Sequence, residues 1–391
     1  MKILFISSRI PFPPNRGDKV RSLFILKTLA NLGELTLVCL VQPQQDSASM
    51  AYLKRIIPQV YYVQHGFLRS VCNLLMNVFS SNPFQVAYYK NPKLKALLAR
   101  LIPANNFDVV YSHLIRIAPY VQSVGKAKVV MDYTDCISLE YQRSISHRSF
   151  LMKLFFTLEA RRTARFEQLI KDSFHENWVI SPVDLSALHL EDDPRSVVMP
   201  NMVQIPVIKP DSSTKWRIIF SGNMSVAHNI AAAIFVCEKI MPLLLSSFPN
   251  LQFYIIGAAP VPLIKDLQGV NNSHVLGFVP DLYHELQASD IFIAPLFFSA
   301  GIQNKVLEAM ACGIPVITTI NVADSLECHS GTELLTATDA QDFAHKTAEL
   351  LNDLQLRRAI GQSGSAYVTD RFSPELVADL IGKRITALVN K

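Results

Sequence analysis

The stretch Ala300-Gly-Ile-Gln-Asn-Lys-Val-Leu-Glu-Ala-Met-Ala-Cys-Gly-Ile-Pro-Val-Ile317 decides the fold of this chain. It begins with a polar loop opened by a glycine, continues as a helical pattern with one carboxylate, Glu308, at the helix entrance, and ends in a short Val-Ile strand. The apolar run Ile291–Leu296 just before it is typical of a buried strand. In parallel α/β sheets ligands bind at the carboxyl ends of the strands, and a helix N-terminus there favours phosphate. The stretch therefore predicts an anion pocket.

Length and composition limit the class of protein. With 391 residues, half of them hydrophobic and 18% charged, the chain is too long for one ordinary core and suits two domains with buried parallel strands. Its six cysteines are scattered without a CxxC pair, so we expect neither a zinc site nor a disulfide framework, and a reducing, cytoplasmic compartment fits.

A strand at Ile3–Ile6 leaves no room for a signal peptide. No apolar run reaches bilayer length; the nearest is Phe67–Phe79.

Charge is distributed unevenly along the chain. Residues 1–205 contain 24 Lys and Arg against 15 Asp and Glu, whereas the remainder contains 13 against 17. A basic first half attracts anionic lipid surfaces or anionic substrates. An ordinary solvated surface explains the charge equally well.

Strand and helix patterns alternate along the chain, which favours doubly wound parallel sheets. In the first half, His113 comes just past the carboxyl end of the strand Asp108–Tyr111. Asp132 and Asp135 likewise come just past the strand Val129–Met131. Prolines 194, 200, 206 and 210 indicate a linker, after which the pattern resumes at Trp216. We predict an N-terminal domain over 1–205, a C-terminal domain over 206–372 and a final helix over 373–391 that could pack back on the first domain.

Four segments resemble the GT-B glycosyltransferases of family 4, and more narrowly the sugar transferases of bacterial exopolysaccharide systems. They are Pro11-Phe-Pro-Pro-Asn-Arg-Gly-Asp-Lys-Val-Arg21, Met131-Asp-Tyr-Thr-Asp135 with the helix Leu158–Arg165, Phe220-Ser-Gly-Asn-Met-Ser-Val-Ala-His-Asn-Ile230, and the opening stretch. The resemblance implies an α/β GT-B fold, in which two Rossmann-like domains face a central cleft. The N-terminal domain would bind the acceptor and the C-terminal domain a nucleotide-sugar donor.

The resemblance assigns the donor site to the second half. Glu308 would accept hydrogen bonds from the ribose hydroxyls, although a helix-start Glu is also favoured by the helix dipole. Ala300 stands where the family has a second Glu that contacts the transferred sugar. Lys305 would face the diphosphate or be a solvated surface lysine. The remaining predicted donor-binding residues are Gly222, Asn223, Val279, Leu282, Gly301, Ile302, Gln303 and Asn304.

Two positions in the first βα turn of the second half carry asparagine where the family often has an Arg and a Lys for the diphosphate. They are Asn223 and Asn229, and Asn229 could equally cap a helix. The cationic contacts to the diphosphate would then come from Lys305 or from Arg16.

In the first half, the loop after the first strand is predicted to bind the acceptor through Arg16, Gly17 and Lys19. Asp18 is a candidate base that could instead cap the helix Arg21–Leu32. His113 matches the place of a catalytic-site histidine in related retaining enzymes, but a lone histidine is more often structural. Asp132 and Asp135 could contact acceptor hydroxyls or cap the next helix.

These assignments imply transfer of a sugar from a nucleotide-diphospho-sugar to a lipid-linked or polysaccharide acceptor. The resemblance implies a retaining, metal-independent enzyme without a cofactor. The basic first half suggests a lipid-linked acceptor at the cytoplasmic face of the membrane, and the sequence has no basic-aromatic patch that would indicate nucleic acid as a partner. Two alternatives stay open. One is a catalytically weak GT-B subunit that binds nucleotide or a partner, motivated by Ala300; the other is a GT-B epimerase.

Overall fold

The computed structural model describes residues 1–14, 17–42, 47–122, 124–145, 150–208, 216–298 and 301–390. The chain forms two compact units. Unit 1 comprises Met1–Pro200 together with Val377–Lys391, and unit 2 comprises Asn201–Leu376.

Unit 1 contains a seven-stranded parallel sheet. Its strands are β1 (Lys2–Ser7), β2 (Glu34–Val41), β3 (Gln59–Gln64), β4 (Val109–His113), β5 (Lys128–Thr134), β6 (Glu176–Val179) and β7 (Ser196–Val198). The order across the sheet is β3-β2-β1-β4-β5-β6-β7. The direction of strand order reverses between β1 and β4, so the carboxyl ends of these two strands form the topological switch point of unit 1.

Helices surround this sheet in chain order. They are α1 (Gly17–Ala30), α2 (Ser47–Ile56), α3 (Phe67–Asn77), α4 (Phe84–Tyr88), α5 (Pro92–Asn105), α6 (Ala118–Val121), α7 (Ile137–Ser144), α8 (Phe150–Ile170) and α9 (Pro182–Ala187). A short 3₁₀ turn, Lys171–Ser173, follows α8. The central strands β1 and β4 are buried apart from Lys2, the first residue of β1. Ile3, Leu4, Val109 and Val110 are fully inaccessible to water, as expected of a parallel sheet covered on both faces.

Two sequence-based boundaries in unit 1 were wrong. Gly17, Asp18 and Lys19 do not form a loop, because α1 begins at Gly17; an acidic Asp18 in the first turn stabilises that helix end. Asp132 does not follow its strand but lies within it, because β5 continues to Thr134 and pairs with both β4 and β6. Arg16 lies outside the described residues.

Unit 2 contains a six-stranded parallel sheet of the same kind. Its strands are β8 (Arg217–Ser221), β9 (Gln252–Ile256), β10 (Ser273–Gly277), β11 (Ile291–Ala294), β12 (Val316–Thr318) and β13 (Leu335–Thr336). The order is β10-β9-β8-β11-β12-β13, which puts the switch point of unit 2 between β8 and β11. The prediction of two doubly wound parallel sheets is thereby confirmed.

The helices of the second half begin with α10 (Ala227–Phe235), which continues through a π-helical segment, Val236–Ile240, into α11 (Met241–Leu245). A short 3₁₀ segment, Val270–Asn272, precedes β10. The remaining helices are α12 (Pro262–Lys265), α13 (Leu282–Gln287), α14 (Asn304–Ala311), α15 (Ile320–Leu326), α16 (Ala340–Asn352), α17 (Leu354–Phe372) and α18 (Pro374–Val389).

One helical stretch of the described residues, Ala227–Leu245, is long and apolar enough to cross a membrane by length and composition alone. The sequence pattern predicts no such run, and this stretch reaches the length only by including polar residues such as Glu238 and Lys239. Core helices meet the same test, and Val236 and Ile240 are fully buried within unit 2.

The final helix α18 supplies part of unit 1. Its buried side chains are Val377, Ile381, Ile385 and Leu388. Arg384 Nε lies 2.9 Å from Glu176 Oε1, whose carboxylate is almost fully buried. Unit 1 is therefore built from two separate stretches of the chain.

Candidate active site

The switch point of unit 2 brings together residues from its first βα turn and from the β11–α14 loop. Gly222 follows β8, and a Cβ atom placed on it would stand 2.8 Å from Asn229 Nδ2 and 3.1 Å from Lys305 Cε. Asn229 Nδ2 donates to the Asn223 carbonyl oxygen at 2.9 Å. Gly222, Asn223 and Lys305, which the sequence pattern predicts to bind one ligand, thus lie side by side.

Tight backbone packing fixes this turn. A Cβ on Gly257, which follows β9, would stand 1.7 Å from the Gly222 carbonyl oxygen. We expect Gly257→Ala to displace the Gly222 turn and to lower the free energy of unfolding by about 3 kcal/mol, because the overlap is with backbone. Gly269→Ala, at a φ of 80° against 147° for Gly257, puts the added atom where nothing lies within 4 Å, so it should lower the free energy of unfolding by only about 1 kcal/mol for the left-handed backbone. Equal losses in urea unfolding of the two variants would contradict this.

The loop before α14 shapes the other side of the site. Gly301 has a φ of 66°, in the left-handed region that glycine adopts readily, and it is buried together with Ile302 and Gln303. Lys305 Nζ donates to Gln303 Oε1 at 2.9 Å. The Asn304 side chain accepts from Asn201 Nδ2 at 2.9 Å. Ala300 lies outside the described residues.

Lys305 and Glu308 form a half-buried pair of opposite charge in α14. Partial burial lowers the pKa of Lys305 to about 8, an effect that the charge of Glu308 opposes. Burial likewise raises the pKa of Glu308 to about 7, against the effect of Lys305. Glu308 is the fifth residue of α14, so it is not at the helix entrance, and the dipole alone does not explain it.

Two residues near this pair were missed at the sequence level. Burial and the positive charge of Lys305 lower the pKa of His228 to about 3, so the imidazole is neutral. Burial and the charge of Glu308 raise the pKa of the Tyr283 hydroxyl. His228 lies in the quoted segment 220–230, where its position beside Asn229 could have drawn notice; Tyr283 follows Leu282 in the loop-to-helix segment.

The two positions predicted to contact the base lie on either side of the start of α13. Val279 is in the β10–α13 loop and Leu282 is the first residue of α13, and both are half-buried. Asp281 Oδ1 accepts from the His284 amide at 3.0 Å and thereby caps α13. Their role in base binding stays a prediction.

In unit 1, three of the predicted residues, Asp132, His113 and Asp18, meet in one network with Arg21 and Tyr111. The Asp132 carboxylate, fully buried, lies 2.8 Å from Arg21 Nε and 3.5 Å from His113 Nδ1, and accepts from the Tyr111 hydroxyl. Burial alone would raise the pKa of Asp132, but Arg21 and His113 hold it well below its usual range. His113 Nε2 lies 3.2 Å from the Asp18 carbonyl oxygen.

This network is built mainly of groups that satisfy one another. Arg21 Nη1 also donates to the carbonyl oxygen of Pro200 at 3.1 Å. His113 is 2% exposed and Asp132 0%, so neither presents an open face to a substrate in this conformation. The catalytic role of His113 and the acceptor-binding role of Asp132 stay predictions. The contacts among these buried groups indicate that they also stabilise the fold of unit 1.

The other predicted residues of unit 1 lie around this network. Asp18 Oδ2 accepts from Arg9 Nη1 at 2.8 Å, and Gly17 is exposed at the start of α1. Asp135, half-buried, has its pKa raised by burial and by the neighbouring carboxylate of Asp184.

A cavity of about 500 Å³ opens at the carboxyl ends of β1 and β2. Its walls include Arg9, Lys19, Gln42, His65 and Arg116. Of these, only Lys19 was predicted from sequence; Arg9, two residues past β1, could have been found by the rule that ligands bind where parallel strands end. A larger hollow of about 1090 Å³ lies at the amino ends of β4 and β5, and none of the predicted site residues line it.

In the described part of the chain, no group of three or more His, Cys, Asp or Glu side chains is placed to hold a metal ion.

Comparison with known proteins finds a family match within the second unit. Residues 215–353 match the family model described as Glycosyl transferases group 1. An uncharacterized 44.6 kDa protein from the cps region of Klebsiella pneumoniae is 23% identical over 406 residues, 98% of this chain and 99% of its own length. A GDP-mannose-dependent monoacylated alpha-(1-6)-phosphatidylinositol monomannoside mannosyltransferase of Corynebacterium glutamicum is 27% identical over 164 residues, 39% of this chain and 42% of that protein.

Solved structures share the whole fold. Anabaena HepE in complex with UDP and glucose has a TM-score of 0.67 and 16% identity, over 99% of this chain and 100% of that one. Sucrose-phosphate synthase from Thermosynechococcus elongatus has a TM-score of 0.72 and 14% identity, over 99% of each chain. Residues 215–353 are thus similar to the glycosyl transferases group 1, and the chain as a whole has the GT-B fold of these solved structures.

Proposed function

We propose that the chain transfers a sugar from a nucleotide-diphospho-sugar to an acceptor hydroxyl, with the donor bound at the switch point of unit 2. The observation that carries this proposal is the cluster of Gly222, Lys305 and Glu308 at the ends of β8 and β11. Glycine lets a diphosphate approach the backbone, the lysine supplies positive charge, and the carboxylate accepts two hydroxyl hydrogen bonds.

The electrostatics of the cluster fit a leaving nucleotide. A half-buried Lys305 has a lowered pKa because it has lost water, and a bound diphosphate would restore favourable interactions to its charged form. As the bond between sugar and diphosphate breaks, negative charge grows on the diphosphate, and a fixed cation there stabilises the transition state. The neutral His228 beside it could donate one further hydrogen bond.

Known proteins support the donor class without fixing its identity. HepE is in complex with UDP and glucose, and the Corynebacterium relative uses GDP-mannose. We extend a nucleotide-sugar donor to this chain, with retention of configuration and without a metal ion, as the family resemblance implies. The cps-region relative supports a role in exopolysaccharide or cell-surface glycan synthesis with a lipid-linked or glycan acceptor. With a lipid-linked acceptor, the protein would work at the cytoplasmic face of an anionic membrane.

The test is a panel of UDP-, GDP- and ADP-sugars, scored separately for binding by calorimetry and for nucleotide release with and without bacterial membrane lipids. We expect one nucleotide class to bind, and its nucleoside diphosphate to be released only when membrane lipids supply an acceptor whose hydroxyl takes the sugar. Binding without release under every condition would favour the nucleotide-binding subunit instead. No binding of any nucleotide would refute the donor site.

A further inference from the structure

Helix α3 exposes an apolar face. Leu68, Leu75 and Met76 are 81%, 67% and 75% exposed, and Phe79, just beyond the helix, is 100% exposed. Their spacing of seven, eight and eleven residues from Leu68 puts them on one side of a helix. A helix at a water surface normally turns this side towards the core.

The opposite side of α3 is polar and is bound to the protein. Ser70 Oγ lies 2.9 Å from His65 Nε2, and Asn73 Nδ2 donates to the Lys90 carbonyl oxygen at 2.8 Å. Asn77 Nδ2 donates to the Asn82 carbonyl oxygen at 2.8 Å. The helix is therefore held by hydrogen bonds on its inner side, and its apolar side is turned outward.

Helix α8 has the same arrangement, with polar groups on its buried side and apolar side chains exposed. Its buried side contains two carboxylates: Glu159 accepts from the Phe84 amide at 2.8 Å, and Glu167 accepts from the Ile137 amide at 3.1 Å. Each thereby satisfies the first amide of a neighbouring helix. Its first turns expose Phe150, Leu151, Leu154, Phe155 and Leu158.

The two exposed sets adjoin. Arg162 of α8 donates to the Val78 carbonyl oxygen at 2.8 Å, directly after α3. Phe155 stacks on Phe84 of α4 with ring centroids 5.6 Å apart. We call the exposed apolar residues of 67–79 and 150–158 the apolar face of unit 1.

The basic residues beside the apolar face indicate what binds there. Segments 67–79 and 150–166 contain Arg69, Lys153, Arg161, Arg162 and Arg165, and their sole acidic residue, Glu159, is buried. Apolar side chains beside lysine and arginine are the pattern of helices that lie in the headgroup region of anionic membranes. A second copy of the same face is disfavoured, because the like charges would repel.

The cavity of about 500 Å³ at the ends of β1 and β2, whose walls include Arg9, Lys19 and Arg116, is called the cationic cavity. It lies next to the apolar face, because Leu74 of α3 and Phe84 also line its wall. The guanidinium groups of Arg9 and Arg116 lie 5.7 and 5.0 Å from the ring centre of Tyr89. Burial and the charge of Arg9 lower the pKa of Arg116. Arg116 Nη1 is buried and has no hydrogen-bond partner among the described residues, so an anion would satisfy it.

We propose that the apolar face of unit 1 lies on an anionic lipid membrane and that the cationic cavity receives the phosphate of a lipid acceptor drawn from it. This proposal rests on the proposed glycosyl transfer only in that it takes the bound lipid to be the acceptor. Membrane docking and phosphate binding are properties of unit 1 alone and can be measured without any sugar nucleotide.

The first test is flotation of the purified full chain with vesicles of phosphatidylcholine, with or without phosphatidylglycerol. We expect binding to the anionic vesicles only. The double variant Met76→Ser/Phe79→Ser should weaken it about tenfold or more, since both side chains lose insertion into the acyl region. Leu263→Ser, which removes a 62% exposed leucine from unit 2, is the matched control and should bind like wild type.

The second test uses short-chain phosphatidic acid below its micelle concentration, with inorganic phosphate as the comparison. Arg116→Gln should weaken both about tenfold, because a charge-assisted contact is lost. Met76→Ser/Phe79→Ser should weaken phosphatidic acid alone. Circular dichroism and nucleotide binding of each variant report on folding and on the donor site separately.

Three outcomes would overturn the proposal: wild-type protein that binds neither vesicle type, vesicle binding unchanged by Met76→Ser/Phe79→Ser, or equal phosphate binding by wild type and Arg116→Gln. Concentration-dependent dimers that Met76→Ser/Phe79→Ser abolishes would assign the face to a second copy and also overturn it. Wild-type protein that binds anionic vesicles but no nucleotide would refute the donor site and leave this proposal standing.

Discussion

Replacing Glu308 with glutamine should weaken the binding of the donor's nucleoside diphosphate by about tenfold to a hundredfold, as expected when a charged acceptor of two hydroxyl hydrogen bonds becomes a neutral amide. Calorimetry with the nucleotide identified by the donor panel measures this. Glu349→Gln removes an equal charge from an exposed position in α16 and should bind like wild type. Equal affinities of Glu308→Gln and wild type would remove Glu308 from the donor site.

The same variant should change how binding depends on pH. Glu308 has its pKa raised to about 7 and must be ionised to accept two hydrogen bonds, so affinity should fall below that pH. Lys305 has its pKa lowered to about 8 and must be protonated to attract the diphosphate, so affinity should also fall above that pH. Wild type should therefore bind best between these values, and Glu308→Gln should lose the fall on the acid side while keeping the other.

Asp132→Asn should lower the free energy of unfolding by about 3–5 kcal/mol, because it leaves the buried guanidinium of Arg21 without its counter-charge. Urea unfolding measures the loss. The control is Asp379→Asn, which breaks an exposed pair with Lys383 in α18 and should leave stability nearly unchanged. Similar losses for both would mean that the buried pair contributes no more than a surface one.

This pair also gives stability an acid-side pH dependence. The folded pKa of Asp132 is held below its usual range, whereas the unfolded value is about 3.9. Its contribution is therefore complete above about pH 4 and is lost as the pH falls through the folded pKa. Asp132→Asn should remove that part of the acid dependence.

The sheets could be predicted from sequence because their signals are local. Runs such as Ile291–Ala294 are short, apolar and followed by polar or glycine residues, which is the pattern of a buried parallel strand. The donor cluster follows from the same rule, since Gly222 and Lys305 come after β8 and β11. The structure adds their proximity, which depends on the pairing of β8 with β11, for example Ile218 with Ile291.

Unit 1 was less predictable because its contacts are distant in sequence. The cationic cavity needs Arg9, Tyr89 and Arg116, which come from three separate segments, and no local pattern links them. Asp132 was placed past its strand because an aspartate reads as a strand end, yet a buried Arg21 allows it to stay inside. For α3, the sequence shows an apolar run over Phe67–Phe79, but it does not reveal that the apolar side faces out.

The return of α18 to unit 1 has a consequence for how the protein folds as it is synthesised. Unit 2 is one continuous stretch, Asn201–Leu376, whereas unit 1 lacks the buried side chains Val377, Ile381 and Ile385 until synthesis passes them. Domains fold as units while the ribosome works. We therefore expect the half that is translated second to finish first, and the first half to wait, incomplete and open to chaperones, for its last helix.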